Sequence, residues 1–358
     1  MARCRATPVL LLAGAAISCR SADRSIAFQG PTWEVQVADS TTRFIGLFAV
    51  DSQTVWAAGA RGRVGRTTDG GATWTLMTVP GADSLEFRDV HAFSGREAFV
   101  LSIGNGPASR IYRTRDGGVT WDRSFQNDDP NAFFDCFSFW SQERGFAFSD
   151  SHAGEFVVIH TTDGGDSWSR IAPELLPDAR DGEGAFASSG TCVVTRPGGL
   201  GWFVTGASGV DTRVIRTTDY GATWFEAPTP IASDTSLAGI FSLTMLDDRA
   251  GAAFGGSLAY PDSLFDDVAL TADGGATWTL GGRTGLGGAV YGASYVPGAA
   301  TPTLVAVSPR GSAFSTDDGR TWTAFDTVSY WAVSFVNPRA GWAVGPGRIG
   351  RIALDVRE

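Results

Sequence analysis

The residues of this 358-residue chain that could do chemistry are mostly carboxylates, and they gather where the sequence is least regular. Residues 171–190 carry Glu174, Asp178, Arg180, Asp181 and Glu183, and residues 255–268 carry Tyr260, Asp262, Asp266 and Asp267. Asp150 and His152 fall in a short irregular stretch at 150–155, while Asp89, His91 and Asp135 sit inside apolar stretches. Two carboxylates facing each other across a sugar bond can share general acid and base or nucleophile duties. The same groups on flexible loops can also simply keep a surface hydrated or grip a partner. No pair among them is set apart by spacing, so no catalytic residue is assigned.

Other chemistries find little support. His91, His152 and His160 show no metal-ligand spacing, and no Ser-His-Asp set, Gly-x-Ser-x-Gly element or Gly-rich phosphate loop stands out. All 28 basic residues are arginine, so a Schiff-base or phosphate-loop lysine is excluded. No cofactor and no metal are expected. The net charge of −10 and the lack of a basic run exclude nucleic acid as a natural partner.

The elements that must position these groups are announced by a repeat. The pattern Ser/Thr-x-Asp-x-Gly-x-Thr/Ser-Trp occurs six times, with Asp69, Asp116, Asp163, Asp219, Asp273 and Asp317 followed by Trp74, Trp121, Trp168, Trp224, Trp278 and Trp322. Successive tryptophans are 47, 47, 56, 54 and 44 residues apart, a period that denotes propeller blades or a solenoid. Physically the repeat is a hairpin corner. The Asp side chain accepts from backbone N–H groups just ahead of it, the glycine takes positive φ freely, and the Trp ring fills space between sheets. These aspartates read as structural.

Between corners the sequence supplies four strands per period, a to d, which is the content of a propeller blade. Apolar a strands are expected near residues 44–50, 87–93, 134–139, 191–195, 239–245, 290–295 and 330–335. Seven d strands start at Trp33 and at the six repeat tryptophans. The chain therefore begins on a d strand and ends on a c strand near 348–354, and joining the two predicts a seven-bladed all-β propeller over 31–358 closed by the N-terminal strand. His160 takes the c-strand slot held by Arg66, Arg113 and Arg216 in other repeats. All c–d corners lie on one face. The d–a and b–c loops, which hold the irregular acidic stretches, lie on the other, and that face is the expected binding surface.

Cys136 lies ten residues before Phe146 and Cys192 ten before Trp202, equivalent slots on the inner strands of adjacent blades. A disulfide between them is one reading; Cα separation beyond bridging range is the other. Residues 1–18 read as a signal peptide, with Arg3 and Arg5 before an apolar run too short to span a bilayer. Cys19 follows Ala16-Ile17-Ser18 in the manner of a lipobox, so lipidation at Cys19 and plain cleavage both fit, and residues 19–30 read as a tether.

The repeats resemble the Asp-box, or bacterial neuraminidase repeat. Their spacing, together with Gly341-Trp342-Ala343-Val344-Gly345, is similar to the photosystem II stability/assembly factor-like family. That resemblance implies seven blades and a non-enzymatic binding or assembly scaffold with a protein or peptide partner. A sialidase-like or other glycan-active hydrolase is the alternative, with a glycan as ligand, and the loose oxidoreductase label carried by some similar propellers is a further one. The Phe/Tyr-Arg-Ile-Pro element of sialidases is missing. The expectation is an exported monomer, periplasmic or an outer-membrane lipoprotein, alternatively secreted, touching the membrane only through Cys19.

Overall fold

The computed structural model describes residues 27–206, 211–231, 233, 235 and 237–354; the expected signal peptide and Cys19 lie outside the described residues. Strands follow the repeat. The first group is β1 (Thr32–Ala49), β2 (Val55–Gly59), β3 (Arg63–Thr67) and β4 (Thr75–Thr78); the second is β5 (Phe87–Ala92), β6 (Ala98–Ser102), β7 (Arg110–Thr114) and β8 (Asp122–Gln126). Next come β9 (Phe134–Phe139), β10 (Gly145–His152), β11 (Glu155–Thr161) and β12 (Ser169–Arg170), then β13 (Val193–Arg196), β14 (Leu200–Val204), β15 (Arg213–Thr217) and β16 (Phe225–Pro228). The series ends with β17 (Ala238–Met245), β18 (Gly251–Ser257), β19 (Val268–Thr271), β20 (Thr279–Leu280), β21 (Gly292–Tyr295), β22 (Leu304–Ser308), β23 (Gly311–Ser315), β24 (Thr323–Asp326), β25 (Ala332–Asn337) and β26 (Ala340–Ala353). Every pairing between consecutive strands of a sheet is antiparallel, and the architecture is an all-β propeller with four strands per blade.

Where seven blades are expected, the strands form six sheets: five of four strands and one of six, in the order β25-β26-β1-β2-β3-β4. The reason is continuity of two long strands. The first part of β1 pairs with the last part of β26, Trp33 facing Ile352 and Ala38 facing Arg348. The second part of β1 pairs with β2, and the first part of β26 pairs with β25. Between these parts the backbone never leaves the sheet, because Arg43 still faces Pro346 and Asp39 holds the bend by accepting from Thr41 and Thr42. Those bonds, with Thr41's hydroxyl first, hold the Asp39 carboxyl down at about 2.

The six corners share one wiring. At the first, Asp69 Oδ1 accepts from the Thr73 N–H at 2.9 Å and from Thr67 Oγ1 at 2.8 Å, and Asp69 Oδ2 accepts from Thr73 Oγ1 at 2.6 Å. Thr67 Oγ1 also accepts from the Gly71 N–H, whose φ of 89° suits glycine. The hydroxyl of Thr73, then its N–H, keep the Asp69 carboxyl at about 2. Asp116, Asp163, Asp219, Asp273 and Asp317 repeat this pattern, each with a lowered pKa. Arginines on c strands join the corners to one another: Arg66 donates to the carbonyls of Gly95 and Gly117, and Arg113 to that of Gly164. His160, in the same slot, is half-buried, and burial lowers its pKa.

Between sheets the core is aromatic. Trp56, Trp202 and Trp342 on b strands are fully buried, whereas the corner tryptophans 74, 121, 168 and 322 are half-buried at sheet edges. Phe28, placed in the expected tether, is instead 3% exposed and packs on Phe314 and Phe335. No helix among the described residues is long and apolar enough to cross a membrane.

Candidate functional site

The innermost strands β1, β5, β9, β13, β17, β21 and β25 surround a channel. Toward the corner face it holds a cavity of about 290 Å³ bounded by Asp89, His91, Phe139, Thr195 and Ser334 among others. Toward the d–a and b–c loops it opens into a second cavity of about 420 Å³. This second mouth brings together Arg88, Asp135, Asp150, Phe186, Phe241, Tyr291 and Trp331.

Each of these side chains is set by its strand. Asp135, second in β9, is 1% exposed, and its Oδ2 is buried without a partner among the protein's donors. Asp150, near the end of β10, accepts from the Ala185 N–H at 2.9 Å and makes a side-chain hydrogen bond with Asp135. Burial raises both carboxyls. Asp150 titrates at about 6, and Asp135 lies well above the usual carboxylate range, pushed further by the Asp150 charge and eased by Arg88. The two behave as one proton-sharing unit in which Asp135 keeps its proton longer.

An aromatic row lines the other side. Phe186 stacks on Phe241 at 4.0 Å, Phe241 lies parallel to Tyr291 at 5.8 Å, and Tyr291 meets Trp331 edge-on at 5.2 Å. The guanidiniums of Arg43 and Arg88 lie 5.4 and 5.9 Å from the Trp331 ring, a cation–π arrangement. Glu86 ties both arginines, accepting from Arg43 at 2.5 Å and from Arg88 at 2.6 Å. Arg88 also donates to the Ala187 carbonyl at 2.8 Å, fastening the long 171–190 loop to the mouth.

That loop is held from its other end by a buried ion pair. Arg213 on β15 donates to Glu183 through Nε at 2.8 Å and through Nη2 at 2.5 Å, and Glu183 also accepts from the Arg180 N–H at 2.9 Å. Arg213 reaches Glu226 and the Asp178 carbonyl as well, and stacks over Phe156. The side chains of Arg213 and Glu183 are 4% and 0% exposed.

Of the candidate binding residues, the structure joins Asp135 and Asp150 at the mouth and disperses the rest. Asp89 is buried deeper in the channel, accepting from the Phe137 N–H at 2.8 Å, and burial raises its pKa. His91 sits among Phe48, Phe93, Phe137 and Phe139, where burial lowers its pKa to about 3 and keeps it neutral. Glu183 is a structural clamp. Asp267 is buried and accepts from the N–H and hydroxyl of Thr284, Asp266 pairs with Arg283 and Asp262 with Arg310. His152, Glu174, Asp178, Asp181 and Tyr260 are exposed on the loop face, Arg180 partly so. A disulfide joins Cys136 to Cys192, their Cα atoms 5.9 Å apart. Among the described residues no cluster of three or more His, Cys, Asp or Glu is placed to hold a metal ion.

The mouth residues that sequence patterning passed over are aromatic and basic: Phe186, Phe241, Tyr291, Trp331, Arg43 and Arg88. A signal existed for two of them, since Tyr291 and Trp331 each stand one residue before an inner strand.

The chain's likeness to known proteins lies in its fold. A structure of YCF48 bound to D1 peptide superposes with a TM-score of 0.65 at 17% identity, covering 93% of this chain and 98% of that one. YCF48 from Cyanidioschyzon merolae gives 0.62 at 16% identity, covering 90% and 98%. A GH74 xyloglucanase from Xanthomonas campestris gives 0.60 at 13% identity, covering 89% of this chain and 53% of that one. No family model matches the sequence, and no curated protein does. At these identities the likeness establishes the propeller, and the function must be argued from the mouth of the channel.

Proposed function

We propose that this protein is an exported, non-enzymatic binding scaffold that presents the d–a and b–c loop face to a protein or peptide partner. The observation carrying this reading is the channel mouth. A pocket of about 420 Å³, lined by five aromatic rings and a buried carboxyl pair, sits under a 20-residue loop clamped by Arg213–Glu183 and Arg88–Ala187. Pre-organised aromatic pockets with a few placed polar groups are what anchor residues of partners occupy. YCF48, whose fold is similar, has been solved with a D1 peptide, and a peptide ligand is carried to this chain on that basis.

The glycan hydrolase reading is weaker at this mouth. Asp135 and Asp150 bond to each other, whereas glycosidases keep their carboxyls roughly 5–10 Å apart to admit the sugar bond.

The same proposal includes three finer points. The six-stranded sheet is two blades fused at β1 and β26, making seven blades in all. The six corners are Asp-boxes. Export proceeds through a signal peptide at 1–18, with lipidation at Cys19 or plain release placing the protein in the periplasm, on the outer membrane or outside the cell.

The test uses the full chain with a photo-crosslinking residue at Leu258, exposed beside the mouth, or at Val119, exposed on the corner face. A discrete crosslinked partner from position 258 and none from 119 is expected. Crosslinking only from 119, or turnover of sialosides or xyloglucan abolished by Asp135→Asn, would replace the scaffold reading.

A further inference from the structure

The scaffold reading leaves open what chemistry the mouth selects, and the inference below rests on that reading. Asp135 Oδ2 is a buried acceptor with no protein donor, lining a cavity large enough for a side chain. An orphaned buried acceptor in a native fold calls for a partner that supplies a donor. Phe186, Phe241, Tyr291 and Trp331 line the same cavity, and a second carboxyl, that of Asp150, lies beside Asp135 there.

We infer that the mouth takes a primary alkylammonium, the side chain of a lysine on the partner, with its N–H groups donated to Asp135 and Asp150 and its methylenes laid along Phe186, Tyr291 and Trp331. A donor that can replace the proton of the carboxyl pair is what the cavity lacks. Arg88 from β5 and Tyr291 before β21 line the cavity with the pair, and Arg88 is tied through Glu86 to Arg43 of β1; Glu183 is turned away onto Arg213, and Asp89 lies deeper, bonded to Phe137. With one proton on the carboxyl pair, two arginines balance Glu86 and one carboxylate. Replacing that proton by an ammonium leaves the sum unchanged, because both carboxyls then ionise. The ammonium therefore enters by exchange, one proton leaving to solvent per lysine bound.

An ammonium suits the site better than a guanidinium. Its compact head offers three rotatable donors to two converging carboxyls, whereas a guanidinium wants the flat face of one carboxylate as a fork. The planar-cation positions over Trp331 are already filled by Arg43 and Arg88. This chain contains no lysine, so no lysine of its own can satisfy the site.

The experiment titrates the full-length protein with a tripeptide capped at both ends and bearing a central lysine, with its Nε-acetyl twin and with its arginine counterpart. Calorimetry in buffers of different ionisation enthalpy counts protons. The lysine peptide should bind with release of one proton and tighten about tenfold per pH unit below the pair's last ionisation. Asp135→Asn and Asp150→Asn should each weaken binding at least tenfold and remove the proton release, and the acetylated twin should not bind. Equal binding by the acetylated or arginine peptide, or unchanged binding by both Asn variants, overturns the inference. Proton release is read on the wild-type chain, so the test stands even if a variant folds poorly. Partner crosslinking from position 258 without lysine-peptide binding sinks this inference and leaves the scaffold standing; loss of both sinks the two together.

Discussion

Replacing Glu183 by Gln tests whether the long loop is truly fastened from below. The carboxylate receives three donors, Arg213 Nε, Arg213 Nη2 and the Arg180 N–H. Gln preserves volume and one acceptor oxygen but removes the charge that offsets a guanidinium only 4% exposed. Breaking one side of a buried ion pair costs about 3–5 kcal/mol because the remaining charge is stranded. Glu226 still touches Arg213 from the solvent side, so the lower end, about 3 kcal/mol, is expected. With a urea slope of about 3 kcal/mol/M for a chain this size, the midpoint should fall by about 1 M. Amide exchange at Gly184 and Ala185, which sit between the clamp and Phe186, should quicken in parallel. The double variant Arg213→Met with Glu183→Leu removes both charges and should recover most of the loss. A midpoint shift below about 0.3 M for Glu183→Gln, or a double variant worse than the single one, would refute the clamp.

Other expectations are more local. Trp121→Ala should cost about 3 kcal/mol, yet Trp121→Phe should cost little, since Trp121 Nε1 has no partner; Trp168→Phe, which loses the bond to Ser124, should cost about 1 kcal/mol more, by urea midpoints. Deleting residues 27–38 removes the strand facing Arg348–Ala353 and the Phe28 contacts, and should lower the melting midpoint further than any single core truncation; an unchanged midpoint would contradict closure. Asp267 titrates at about 6 against 3.8 unfolded. The folded state thus holds its proton longer, and stability declines as pH rises from about 4 to 6. Asp267→Asn should lessen that decline in a pH series of melting curves, without touching the separate loss below pH 4, where the corner carboxyls, held below their usual range, become protonated. Reducing the Cys136–Cys192 disulfide, which spans 56 residues, should cost about 4 kcal/mol in the chain-entropy account, read from denaturation with and without reductant.

The corners and strand order were legible because their causes are local. An Asp, a Gly and a Thr at fixed offsets make the turn wherever they occur, so six copies name six corners. The pairing of Trp33 with the last strand was legible from a count of strands. The merging of two sheets was not, since it depends on residues 39–43 staying extended against Pro346, which no periodicity encodes. The site was less legible still. Glu183, in the acidic loop, looked available for a ligand, but Arg213 lies on a strand 30 residues later, and only folding brings that guanidinium beneath it. Asp135 and Asp150 were visible individually, while their contact depends on the register of β9 against β10. Tyr291 and Trp331 went unnoticed because aromatics preceding an apolar strand look like more core.

The pairing of β1 with β26 also bears on how the protein is made. Trp33 must wait for Ile352, and Gln36 for Trp342, with which it bonds at 3.2 Å across 306 residues. During translation the leading segment therefore emerges with an unpaired edge and keeps it until almost the whole nascent chain has followed. A chaperone that shields residues 32–38 in that interval should raise the yield of folded protein.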